Sequence, residues 1–193
     1  SLGNAYFYNA LNVGQVHQGI ELEAKARPFT NLRLRGMVSL GNWKYKGNAN
    51  FNILDVQNNQ EIAGATGTIN IKDLKVGDAA QTTASIGADY NITKAFSIDA
   101  NWEYYDKLYA QFNPINFLTE AAREKGIVKL PSYHLFDVGA SYKFTLDAKK
   151  SLTLRANVYN LFNKYYISEL SSNIFAGDKI ANGPDAGKTY QEA

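Results

Sequence analysis

The chain repeats one pattern six times: a run of about ten residues in which apolar and polar positions alternate with a period of two, the spacing of a β-strand with one apolar face. In QGIELEAKA, Ile20, Leu22, Ala24 and Ala26 oppose Gly19, Glu21, Glu23 and Lys25. In LRLRGMVSL, Leu32, Leu34, Gly36, Val38 and Leu40 oppose Arg33, Arg35, Met37 and Ser39. QTTASIGADY sets Ala84, Ile86, Ala88 and Tyr90 against Thr83, Ser85, Gly87 and Asp89, and FSIDANWEYY sets Phe96, Ile98, Ala100, Trp102 and Tyr104 against Ser97, Asp99, Asn101, Glu103 and Tyr105. YHLFDVGASYKF is looser, with Leu135 on its polar side, and SLTLRANVY returns to strict alternation. An N-terminal run, AYFYNALNVGQ, is a candidate seventh strand.

The connections alternate as well. RPFTN, NITKA and TLDAKK are short enough for hairpins, whereas the stretches 46–80 and 106–132 are long and polar. An antiparallel meander with short turns at one end and long loops at the other follows. TEAAREKG, residues 119–126, is the one helix-like segment and reads as a short helix inside a loop.

A half-buried soluble sheet shows the same alternation, so period alone does not select a membrane. Strand length does: ten residues at ~3.3 Å rise and a tilt near 40° cover about 25 Å, the apolar height of an outer-membrane barrel. Aromatic residues gather near strand ends, as barrel girdles require. Full charges sit in mid-strand on the polar side, at Arg33, Arg35, Asp99, Glu103 and Arg155, where a wet lumen tolerates them and a packed interior does not. The strict parity puts Trp43 and Tyr45 on the polar side; either a bulge near Gly41 shifts the register, or these rings line the inside of the barrel mouth.

Composition narrows the chemistry. The 193 residues carry a formal charge of +2, thirteen Tyr, ten Phe, two Trp, fifteen Gly and only four Pro. No basic run points to nucleic acid. With no cysteine there is no thiolate site or cysteine nucleophile, and the two histidines, His17 and His134, have no partners at metal-ligand or triad spacing. Glu21 with Glu23, or Asp99 with Glu103, project in parallel from one strand and do not flank a substrate. The expectation is a non-enzymatic protein with no metal and no cofactor. Apolar stretches fall short of the ~20 residues of a membrane helix.

ANVYNLFNKYY, residues 156–166, leaves its strand in a knot of Asn and aromatic residues. This run resembles the penultimate-strand signature of TonB-dependent outer-membrane receptors, matched by Asn160, Leu161, Phe162, Asn163, Lys164 and Tyr166. Gly19, Ile20, Glu21, Leu22 and Glu23 resemble a second, upstream strand element of the same family, and the phrase LRLRGMVSLGNWKYKGN is similar to receptors of the Bacteroidetes type. The resemblance implies an all-β fold that forms part of a transmembrane β-barrel of about 22 strands in the full protein, with short periplasmic turns and long extracellular loops. It implies that residues 1–193 are a C-terminal segment of that barrel, without the plug domain and the final strand, in the outer membrane of a Gram-negative bacterium.

The function so implied is TonB-dependent active import of a scarce solute: a siderophore, haem, cobalamin, an oligosaccharide or a peptide. Expected partners are outer-membrane lipids, TonB through the missing N-terminal region, the protein's own plug domain, and a surface lipoprotein or other outer-membrane subunit. Arg33, Arg35, Asp99, Glu103 and Arg155 are then lumen-facing, as solvated charges paired with each other or with the plug, or as ligand contacts. Trp43, Tyr45, Tyr105, Tyr109 and Phe112, where strands pass into the long loops, are candidates to stack on a ligand ring or are girdle and loop packing. Two rival classes stand beside the importer: a passive porin or structural barrel subunit, and a secreted β-sandwich binding module.

Overall fold

The computed structural model describes residues 5–191. Among them the strands, numbered in chain order, are β1 (Tyr6–Leu11), β2 (Gln15–Phe29), β3 (Leu32–Tyr45), β4 (Ala49–Asp55), β5 (Glu61–Ile69), β6 (Thr82–Asn91), β7 (Phe96–Asp106), β8 (Gln111–Phe112), β9 (Tyr133–Thr145), β10 (Ser151–Val158) and β11 (Ser171–Ser172). A 3-10 turn (Pro114–Phe117) and one helix, α1 (Glu120–Lys125), lie between β8 and β9.

The six alternating segments form one antiparallel sheet in the order β10-β9-β7-β6-β3-β2. Their short turns all lie at one end and the long connections at the other. Register locks the alternation together, because a one-residue slip would move every side chain to the opposite face. One apolar row runs Ala26, Leu34, Ala88, Ala100, Val138 and Val158 across all six strands. A parallel row runs Ala24, Gly36, Ile86, Trp102 and Phe136.

Nothing among the described residues covers this face. Ile20, Leu22 and Ile86 are 67%, 63% and 60% exposed, and Leu154 is 56% exposed. A β-sandwich would interdigitate these side chains with a second sheet. Here the aliphatic face is bare, which removes the sandwich reading.

The pairing of β2 with β3 runs without interruption from Gln15↔Tyr45 to Ala26↔Leu34. There is no bulge at Gly41, so Trp43 keeps the polar-side parity of Ser39. The irregularity lies instead beside the turn, between Ala26 and Phe29, where Pro28 has no N–H to give a ladder.

The stretch 46–80 departs from the sequence reading. It is not a structureless loop: β4 and β5 lie within it, and β1 pairs with β4 rather than joining the wall. Lys46 N–H donates to the Gly14 carbonyl at 2.9 Å, carrying the β2–β3 pairing on into β1–β4, with Asn12 in the left-handed region (φ 58°) where the register steps by one. The combined ribbon is roughly 80 Å of strand at ~3.3 Å per residue, far more than the wall needs, so its upper part projects beyond it. The loop helix forms as expected: Thr119 Oγ1 caps it by accepting from Ala122 N–H at 3.2 Å, and Gly126 ends it at φ 68°.

The dry interior of this chain lies not under the sheet but in a cap at the long-loop end. Ala49, Ile69, Ile71, Leu74, Phe117 and Ile127 form one buried cluster, and Leu108, Ala110, Val128 and Leu130 a second. Segments from 46–81, from 107–132 and from beyond β10 build it together; β11 pairs with β8, and Tyr190 packs on the second cluster.

Candidate functional site

The polar face of the wall is organised by glycines. Gly87 lies between Arg35 and Asn101, and a Cβ there would come within 2.6 Å of Arg35 Nε and 2.7 Å of Asn101 Oδ1. The guanidinium fills that space, donating to Asn101 Oδ1 and pairing with Asp89. One strand pair further on, Gly139 does the same for Asp99: its Cβ would sit 2.7 Å from both carboxylate oxygens. Arg155 Nη2 donates to Asp99 Oδ1 at 2.8 Å and its Nε to Asn157 Oδ1 at 3.0 Å. Glu103 accepts from the Tyr105 hydroxyl at 2.8 Å. Of the five charged residues singled out from sequence, only Arg33 has no such partner among the described residues. Pairs this exposed hold geometry more than they add stability, each contributing about 0–1 kcal/mol.

The five aromatic candidates do not converge. Tyr45, Tyr109 and Phe112 pack against the first cap cluster; Tyr45 meets Phe112 edge-on at 5.7 Å and Phe112 meets Phe117 at 4.7 Å. They are packing residues of the cap. Tyr105 stands on the polar face, stacked at 4.9 Å on Tyr133, which stacks at 4.4 Å on Tyr166. Tyr133 covers one face of the Tyr105 ring, and the Tyr105 hydroxyl is taken by Glu103.

Trp43 is the best held of the five. Gln81, only 2% exposed, accepts from Trp43 N–H at 2.9 Å and donates to the carbonyls of Trp43 and Val76, both at 3.0 Å. The indole folds back over Gly41, where a Cβ would lie 2.9 Å from Nε1, and stacks at 5.1 Å and 15° on His17 of the facing strand. Neither His17, Gln81 nor Tyr133 was singled out from sequence as a site residue. Val76 is near Gln81 in the chain, but Trp43 lies 38 residues away on β3, so no local pattern marks the glutamine.

The aromatic knot after β10 is a closed hydrogen-bonded turn. Asn160 and Asn163 both adopt left-handed backbone (φ 49° and 48°), which Asn tolerates best after Gly. Asn160 Oδ1 accepts from Lys164 N–H at 2.8 Å while its Nδ2 donates to the Lys164 carbonyl at 3.0 Å. Its own N–H goes to Asp137 Oδ1, and Leu161 N–H to the Phe136 carbonyl. The turn therefore splits its rings: Phe162 meets Phe136 on the aliphatic side at 5.1 Å, and Tyr166 meets Tyr133 on the polar side. Gly19, Glu21 and Glu23 of the upstream element lie on the polar face of β2, with Glu23 3.8 Å from Lys25.

Charge fastens the cap. Asp178 accepts from Lys125 Nζ at 2.8 Å and from Phe175 N–H at 3.1 Å, and these bonds, the Lys125 ammonium first, hold its carboxyl below the usual range. Lys44 does the same for Asp73. Burial, with Lys107 and Lys44 nearby, lowers Lys75. Among the described residues no group of His, Asp and Glu is placed to hold a metal ion, and no helix is long and apolar enough to cross a membrane.

A strand wall that is aliphatic and bare on one side, charged and glycine-notched on the other, with short turns below and a packed cap above, defines part of an outer-membrane-type β-barrel. Its six strands do not close a barrel by themselves. Residues 1–161 match the family model described as TonB dependent receptor-like, beta-barrel, and the chain belongs to that family. The family is one of outer-membrane, TonB-dependent transport, not of enzymes. No curated protein matches the chain.

Proposed function

We propose that this chain forms a C-terminal sector of the wall and outer mouth of an active importer in the outer membrane of a Gram-negative bacterium. The aliphatic face lies against lipid and the short turns face the periplasm. The cap and the projecting ribbon face outside. The polar face, with Arg33, Arg35, Asp99, Glu103 and Arg155, lines a lumen shared with a plug domain. TonB acts on that plug to admit a scarce solute drawn from the siderophore, haem, cobalamin, oligosaccharide and peptide classes, with a surface lipoprotein as a further partner. Trp43 and Tyr105 are the two aromatic candidates that face this lumen; Tyr45, Tyr109 and Phe112 serve the cap.

The observation that carries this reading is the unbroken row of apolar side chains across all six strands with nothing among the described residues packed on it. Lipid is the solvent that leaves such a face stable, since a soluble protein exposing it would aggregate. These 193 residues hold no cysteine, so once any cysteine elsewhere in the receptor is replaced, single cysteines report accessibility against a clean background. In the full-length receptor in native membranes, Ser85→Cys is expected to react with a charged, water-soluble maleimide, and Ile86→Cys to resist it while reacting with a lipid-soluble one. Equal reaction of both with the charged reagent would overturn the placement. Active import requires in addition that uptake of the bound solute stop when the proton-motive force is collapsed; uptake that continues is the behaviour of a passive porin.

A further inference from the structure

On the polar face near the cap, β2 and β3 place two glycines directly opposite each other, Gly19↔Gly41, between the pairs His17↔Trp43 and Glu21↔Ser39. With no side chain on either glycine, the sheet is notched to bare backbone. The indole of Trp43 fills the Gly41 half, and a hollow of about 260 Å³ remains, walled by His17, Gly19, Glu21, Ser39 and Trp43. Its side-chain polar groups include the His17 imidazole, the Glu21 carboxylate and the Ser39 hydroxyl. Glu21 supplies a carboxylate with no ion pair or hydrogen bond among the described residues, Ser39 supplies a hydroxyl, and no Lys or Arg belongs to the wall of the hollow. Gln81 fixes the Trp43 backbone, and the stack on His17 sets its indole over the Gly41 side of the notch.

We propose that this notch is a subsite for a cationic group, an ammonium or guanidinium carried by the imported solute. A carboxylate beside an aromatic face is the pairing that recognises such a group: the cation takes a charge-assisted bond from one side and the electron-rich ring from the other. A phosphate or carboxylate ligand meets only repulsion at Glu21. The glycine pair matters because a Cβ at Gly19 would meet the Leu40 carbonyl at 2.6 Å and one at Gly41 the Trp43 indole at 2.9 Å, so neither strand can carry a side chain between Trp43 and Glu21, and the volume fits the end of a basic side chain rather than a whole oligomer.

The subsite rests on the polar face being wet, which the Ser85→Cys labelling above tests by itself; a receptor that labels there yet fails the following experiment refutes the subsite alone. Titration calorimetry of the full-length receptor in detergent, at low salt, uses trilysine as the probe and maltotriose as a neutral comparator. Saturable trilysine binding is expected, weakened at least tenfold by Glu21→Gln and by Trp43→Leu. Glu23→Gln, two residues along the same face, is expected to leave it within twofold. Folding of each variant is checked by heat-modifiable gel mobility, and if Trp43→Leu fails that check the Glu21 and Glu23 pair decides the matter. Absence of saturable trilysine binding overturns the proposal. So does an equal loss in both glutamate variants, which would mean diffuse charge attraction. Maltotriose binding that displaces trilysine and survives Glu21→Gln also overturns it, assigning the hollow to a neutral sugar.

Discussion

At the scale of single residues, this wall depends on Asn and Gly used as shaped parts. Asn160 combines a left-handed backbone with two side-chain bonds to Lys164, and few other residues supply both. Asn160→Ala is expected to cost about 1–2 kcal/mol, from lost hydrogen bonds and backbone strain together. Asn160→Gly should recover the strain part alone. Urea midpoints of the two variants against wild type, followed by gel mobility of the full receptor, measure the difference; equal stability of all three would mean that the turn is held elsewhere. The identity of this knot was legible in sequence, because Asn-rich aromatic punctuation after an alternating strand is a local signal. Gln81 was not legible: its role exists only once β3 and two connections distant in sequence have met.

At the scale of elements, alternation predicted all six wall strands and the faces of their side chains, since a period of two is imposed by the pleat and reinforced by every neighbour in register. Sequence pattern read the stretch 46–80 as a loop because β4 and β5 are rich in Asn, Thr and Gly and have no wall to oppose them. The pairing of β4 with β1 is a tertiary fact. The same distinction explains the aromatic candidates, since a ring at a strand end looks alike from sequence whether it packs inward on a cap or outward on a lumen. A charge placed on the lipid side tests the element directly. Ile86→Arg, in mid-strand, is expected to cost about 2–4 kcal/mol in folding of the receptor into phospholipid vesicles. Ser85→Arg, one residue away on the opposite face, should cost far less. A reversed order would invert the assignment of the two faces.

At the scale of the molecule, the chain divides its stabilising forces between two places. The wall is held by ladders of backbone hydrogen bonds, by the Arg35–Asp89 and Arg155–Asp99 pairs and by whatever solvates its bare face; the cap is held by a true hydrophobic interior and by ion pairs of its own. The carboxyls held below the usual range at Asp178 and Asp73 make the cap sensitive to acid. Asp178 has its carboxyl held below the usual range by Lys125 and the Phe175 amide, so its contribution is present in full above ordinary carboxylate pKa values and is lost as pH falls through the lowered folded-state value. Asp73 shifts in the same direction through Lys44. Amide exchange across α1 and residues 175–178 is expected to speed up in acid before exchange in β6 and β7 does, and Asp178→Asn should remove part of that dependence, the rest belonging to Glu120 and Asp73. Wall strands that lose protection first would contradict this division.

Two long connections and the segment beyond β10 are bolted to one another by buried Phe117, Ile71 and Leu130. A rim sector assembled this way cannot swing one flap without dragging the others. In the proposed importer this arc would serve as a fixed jamb, moving as one piece or not at all.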